Sequence, residues 1–164
     1  MIRLFVGLVV GLCALGTSAA AADPVEIGIG YLRRAGAKPT LSLVEQPAAD
    51  DGLAGARLAI EDNNTTGKFL NQHFTLEELR LKAGEDAATA ARTLADRNIG
   101  FIIADLPADA LLKTADAVSD RGIVLFNAGA IDDRLREEDC RTNVIHVAPT
   151  RSMLADALAQ YLVW

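Results

Sequence analysis

Gly100-Phe101-Ile102-Ile103-Ala104 and Ile123-Val124-Leu125-Phe126 are short apolar runs bounded by turn residues. Runs of this length that stay apolar without alternating predict strands of a parallel sheet, buried on both faces. Between them, Leu111, Leu112, Ala115 and Val118 share one helical face, opened by Pro107 and closed by Asp120-Arg121-Gly122. Strand, helix, strand in that order is a crossover unit.

Toward the N-terminus the same alternation continues. Ala87, Ala90, Ala91 and Leu94 stand at i, i+3, i+4 and i+7, which predicts an amphipathic helix ending near Asn98. Phe74 to Lys82 holds a strand around Leu79-Arg80-Leu81. Leu53, Ala56 and Ile60 predict a helix over Leu53–Asn63, stopped by Asn64-Thr65-Thr66-Gly67. Val25 to Tyr31 alternates as a first strand, and Arg33 to Asp51, with Gly36, Pro39 and Pro47, predicts a long surface loop. Toward the C-terminus, Val144-Ile145-His146-Val147 predicts another strand, and Pro149-Thr150 introduces a helix with Leu154, Ala157, Leu158 and Tyr161 on one face. The expected fold is therefore α/β: a doubly wound, Rossmann-like parallel sheet with right-handed crossovers and helices on both faces.

Met1 to Ala22 has another character. Arg3 precedes an apolar stretch from Leu4 to Leu15, and small residues Ser18 to Ala22 stand before Asp23, the pattern of a cleaved export signal. The stretch is short for a bilayer span, which needs about 20 apolar residues. Of 16 basic and 22 acidic residues in the chain, cleavage near Ala22 removes only Arg3. The acidic remainder argues against nucleic acid or an anionic membrane as partner. Apolar residues make up 51% and aromatic residues 5%, so Ala and Leu have to do most of the packing. Of the two cysteines, Cys13 lies in the signal, leaving Cys140 with no internal partner. Cys140 is expected to be buried and inert, or paired beyond residue 164. The last helix ends on Tyr161-Leu162-Val163-Trp164 without a capping residue, so the chain is expected to be part of a longer one.

Several chemistries find little support. Gly28-Ile29-Gly30 is half a dinucleotide fingerprint, but Arg33 stands in the third glycine's place, so no cofactor is expected. His73 and His146 have no ligand-spaced partner, and the acidic pairs Asp50-Asp51 and Asp132-Asp133 diverge from one another, so no metal is expected. Ser42, Ser119 and Ser152 lack an evident base, which speaks against a hydrolase on such a sheet. The position that remains is geometric. Open parallel sheets bind ligands outside the carboxyl ends of their strands. Tyr31-Leu32-Arg33-Arg34, Asp105-Leu106-Pro107-Ala108 and Asn127-Ala128-Gly129-Ala130 end there. Tyr31, Arg33, Asp105, Asn127 and Gly129 are the candidate ligand-binding residues, with Arg33 reading charge. An equally weighted reading makes these segments ordinary turns and caps, with Asp105 and Asn127 bonded to their own backbone.

The string Gly52-Leu-Ala-Gly-Ala-Arg-Leu-Ala-Ile-Glu-Asp-Asn63, then Gly67, Gly84 to Arg92, Gly100 to Ala104 and Ile123 to Gly129, resembles the first lobe of a type I periplasmic solute-binding protein. The branched-chain amino-acid-binding branch is nearest. The resemblance implies residues 23–148 as a first lobe and 149–164 as the crossover and first helix of a second, truncated one. It implies a periplasmic, non-enzymatic protein that closes on a small-molecule solute and delivers it to an inner-membrane ABC permease. In the family's amino-acid binders, hydroxyls and amides after these strands hold the ligand. Here Leu106, Pro107, Ala108 and Asn127 to Ala130 offer no hydroxyl, a loss of about 1–3 kcal/mol per unsatisfied ligand group. A standard amino acid is therefore not the expected solute. These departures resemble a subgroup associated with PQQ-dependent alcohol dehydrogenase systems, which implies a periplasmic quinoprotein dehydrogenase as a further partner. An interaction or sensor module that keeps the fold without capturing solute is the rival reading.

Overall fold

The computed structural model describes residues 23–34, 44, 48 and 50–163. Met1 to Ala22 and most of the segment between Arg34 and Asp50 lie outside the described residues, and with them the export signal and the body of the expected long loop. Five strands, β1 (Val25–Arg34), β2 (Gln72–Leu81), β3 (Phe101–Asp105), β4 (Val124–Asn127) and β5 (Val144–His146), form one parallel sheet in the order β2-β1-β3-β4-β5. Helices α1 (Asp51–Leu70), α2 (Ala87–Asp96) and α3 (Ala108–Ala117) make the first three crossovers, and α4 (Arg151–Val163) follows β5. The connection from β4 to β5 carries only a 3-10 turn, Asp133–Arg136.

The alternation of side chains along the strands assigns each helix to a face. Gly28, Gly30 and Leu32 of β1, with Ile102, Ala104 and Leu125 of β3 and β4, look toward α2 and α3. There Ala91, Leu94, Leu111, Ala115 and Val118 complete a core that excludes solvent. A Cβ on Gly30 would stand 2.7 Å from Leu94 Cδ1, so the glycine lets α2 lie close to the sheet. The opposite face carries Ile27, Ile29, Phe74, Phe101, Ile103 and Phe126, and among the described elements α1 packs on part of it, against β2. β3 is thus covered on one face rather than both: Ile102 and Ala104 are fully buried, while Phe101 is 43% exposed.

Three further expectations need correction. First, β1 runs on through Arg34 because its ten residues pair in register with β2, so Arg33 belongs to the strand and not to the loop. Second, α1 passes through Asn64-Thr65-Thr66-Gly67 and ends at Asn71, whose φ is 53°. The Asn64 amide explains the override: Nδ2 donates to the Phe74 carbonyl (2.9 Å) and Oδ1 accepts from the Phe74 N–H (2.8 Å), pinning the helix to β2. Gly67 is buried where a Cβ would meet the Gln72 carbonyl at 2.6 Å, so it serves contact rather than termination. Third, Cys140 is exposed, which removes the buried, inert option.

Of the acidic stretch that follows β4, Asp139 is held in an ion pair and Asp133 accepts from Ser152 at the start of α4. Arg134 bridges Asp109 of α3 and Asp139, and Arg141 holds Asp116 of α3. Helix α4 forms as its sequence predicts, but none of its residues is buried.

Candidate functional site

The sheet order reverses between β1 and β3: the chain steps from β1 outward to β2, then returns to the other side of β1. At such a switch point the helices leave in opposite directions and open a crevice at the carboxyl ends of the two central strands. Register places Arg33 beside Asp105 and Ala104 beside Asn127, so all three expected segments gather on one rim.

Tyr31 and Asp105 flank the switch point on the sheet face that α1 partly covers. Tyr31 is 2% exposed, and its hydroxyl donates to Asp105 Oδ2 at 3.4 Å. Burial, then the negative charge of Asp105, push the Tyr31 phenol up to about 12, so it remains a donor at any physiological pH. Two glycines make room around this pair. A Cβ on Gly52, in the first turn of α1, would lie 2.5 Å from the Tyr31 hydroxyl; one on Gly129 would lie 2.7 Å from Asp105 Oδ1 and 3.1 Å from the Leu106 nitrogen. The backbone of α1 and of the turn after β4 therefore closes on the pair from both sides. Tyr31, Asp51, Gly52, Ala56, Ile103, Asp105 and Ala128 line a concavity of about 470 Å³. A second hollow, of about 500 Å³, adjoins it across Tyr31 and is lined by Arg33, Asp50, Arg57, Glu78 and Arg80 among others. Arg33, 8% exposed, is thus next to the first concavity and inside the second.

Asn127 belongs to the other face. It is 1% exposed and spends its amide on its own turn: Oδ1 accepts from the N–H of Ala130 (2.9 Å) and of Gly129 (3.3 Å), and Nδ2 donates to the Ala130 carbonyl (2.7 Å). It shapes the rim from beneath, while Gly129 forms its exposed edge. Tyr31, Asp105 and Gly129 are brought together, with Arg33 one hollow away and Asn127 behind them. Gly52 and Asp51 complete the concavity. The two consecutive acids before a glycine at a helix start are the only local signal that marks them.

Among the described residues no group of three or more His, Cys, Asp or Glu is placed to hold a metal ion. His73 is exposed on β2, with Nδ1 2.7 Å from Glu26 Oε2.

The chain matches a family model described as periplasmic binding protein over residues 41–163. Its fold is similar to that of an ABC transporter substrate-binding protein from Desulfitobacterium hafniense, at 20% identity and a TM-score of 0.62, covering 85% of this chain and 38% of the other. It is similar also to a branched-chain amino acid ABC transporter periplasmic ligand-binding protein from Burkholderia xenovorans, with 21% identity, a TM-score of 0.62 and coverage of 85% and 35%. A third likeness is to the branched-chain amino acid transporter substrate-binding protein LivJ of Streptococcus pneumoniae, solved with isoleucine, with 14% identity, a TM-score of 0.55 and coverage of 77% and 34%. The chain therefore spans little more than a third of the length of these proteins. No curated protein sequence matches it.

Proposed function

The chain belongs to the periplasmic binding protein family, and on that premise we propose that it supplies one lobe of an exported solute-binding component of an ABC-type uptake system. The observation that carries this reading is the concavity at the β1/β3 switch point, where Tyr31, Asp105 and Gly129 meet the first turn of α1. A second lobe closing over that rim would bury a small solute between the two. Its periplasmic setting and the inner-membrane permease that would receive the solute belong to the same proposal.

The charge of the rim narrows the ligand. Among the described residues, Asp51 and Asp105 are the ionisable groups lining the concavity besides Tyr31, and neither an arginine nor a lysine lines it. Two like charges 4 Å apart repel by about 1 kcal/mol in water and by about 4 kcal/mol at an effective dielectric constant of 20. A ligand carboxylate at Asp105 is disfavoured by that amount, whereas a hydroxyl or an ammonium finds an acceptor. The solute is a small organic molecule rich in hydrogen-bond donors rather than a standard amino acid. A link to quinoprotein alcohol oxidation fits a hydroxyl-bearing solute and rests on the resemblance seen in the sequence.

Calorimetric titration of the exported protein with ethanolamine, glycerol and L-leucine tests this. Binding of either of the first two, weakened about tenfold or more by Asp105→Asn as expected for loss of a charged hydrogen-bond partner, supports it. Tight binding of L-leucine, unaffected by Asp105→Asn, overturns the ligand class. The rival, a docking or sensor module without solute capture, is favoured by one observation: Asn127 gives its amide to its own turn and to His146, with nothing directed at the crevice. Silence across all three titrations and any wider solute panel would favour it.

A further inference from the structure

The turn after β4 is held by Asn127, and Asn127 is held in turn by His146 on β5, whose Nδ1 lies 3.0 Å from Asn127 Nδ2. The orientation of the Asn127 amide follows from its neighbours. The N–H groups of Gly129 and Ala130 can only donate, so the atom facing them is Oδ1. The Ala130 carbonyl can only accept, so the atom facing it is Nδ2. Nδ2 therefore points its remaining hydrogen at His146 Nδ1, which must offer a lone pair. Only the neutral imidazole protonated on Nε2 does so.

We propose that His146 is a positioning residue for the Ala128-Gly129-Ala130 rim turn, and that it holds the turn only in its neutral, Nε2-protonated form. Protonation sets an N–H on Nδ1 against the Asn127 NH2 group. Turning the amide over relieves nothing: it would aim NH2 at the two backbone N–H groups and Oδ1 at the Ala130 carbonyl. The bracket has one satisfied arrangement, and acid removes it. Burial, and secondarily the charge of Arg136 on the 3-10 turn, hold the imidazole below its ordinary value of 6.5, while the Leu135 backbone pulls it back in part. Nε2 is sealed from solvent without a full hydrogen bond among the described residues, so an added charge is poorly solvated on either side of the ring. Asn127 faces the ring from β4, and Arg136, which donates to the Ala148 carbonyl, is the charged group acting from the turn.

The importance of the turn to function rests on the solute-binding reading, but the test needs no solute. Amide exchange and imidazole ¹⁵N shifts are followed in the labelled protein from pH 8 to pH 5. At pH 8 the ¹⁵N shifts should report the Nε2–H tautomer. As His146 takes up its proton, the protection factor of Ala130 N–H should fall about tenfold or more, the loss expected for a buried bond left unmade. His146→Asn, whose Oδ1 can stand where Nδ1 stands, should keep Ala130 protected throughout; its melting temperature at pH 8 checks that it is folded. A neutral Nδ1–H tautomer, or Ala130 protection that ignores the titration of His146, or the same pH dependence in His146→Asn, overturns the proposal. None of these results bears on whether solute binds, which the calorimetric titrations decide.

Discussion

The two faces of the sheet are equally apolar in sequence and unequally covered in structure. Leu32, Ile102 and Leu125 lie at zero exposure under α2 and α3. On the opposite face Ile29, Phe101, Ile103 and Phe126 line an apolar trough of about 530 Å³ that stays open among the described residues. Alternation along a strand separates one face from the other, but an apolar run does not say which face meets a helix. What decides it is the crossovers: α2 and α3 go to one side and α1 to the other, where it lies over β2 and the start of the switch point.

The largest effects should separate these faces. Leu32→Ala or Leu125→Ala removes side chains that are wholly enclosed and should cost about 2–5 kcal/mol in urea unfolding. Ile29→Ala and Phe101→Ala, on the trough side, should cost less than about half as much, because part of each side chain is already exposed and no enclosed cavity is left. Equal losses on the two faces would mean that something covers the trough in solution.

The next effect belongs to the rim. Gly129→Ala puts a methyl 3.1 Å from the Leu106 nitrogen and 3.2 Å from Asp105 Cα, where backbone has to give way. A cost of about 1–3 kcal/mol is expected from such overpacking. Gly55→Ala in α1, where the added Cβ meets nothing within 4 Å, should instead be neutral or stabilising in the same assay.

The smallest effects depend on pH, and they too divide between the faces. On the covered side His146 is depressed below 6.5, so the unfolded chain binds the proton first. Its contribution is intact above 6.5 and is lost as pH falls from there toward the folded value. On the trough side Tyr31 is raised from 10.0 to about 12, so its contribution is intact below 10 and is lost as pH rises through that interval. Melting curves of the parent protein, His146→Asn and Tyr31→Phe should show the acid step vanish in the first variant only and the alkaline step in the second only.

Much of this architecture is legible in the sequence because helix and strand periods differ and the apolar runs alternate with capped helices. Asp86 caps α2 by accepting from the Thr89 N–H, and Ala87, Ala91 and Leu94 face the core as their spacing implies. Two of the misreadings share a cause, which is that a local signal was answered by a distant partner. Asn64 reads as a helix stop until Phe74 engages its amide, and Arg33 reads as loop until β2 pairs alongside it. The rim was legible as a set of strand ends. Which side chain turns toward the crevice was not, since Tyr31 and Asp105 point to one face and Asn127 to the other only once the register is known.

The central claim is that solute meets the protein at the β1/β3 switch point. Amide chemical shifts recorded while ethanolamine is added to the labelled protein test it most directly. Perturbations concentrated at Tyr31, Gly52, Asp105 and Gly129, and abolished by Asp105→Asn, are the predicted result. Perturbations confined to the trough around Ile29, Phe101 and Phe126, or to the amino ends of the strands near Val25 and Val124, would contradict it.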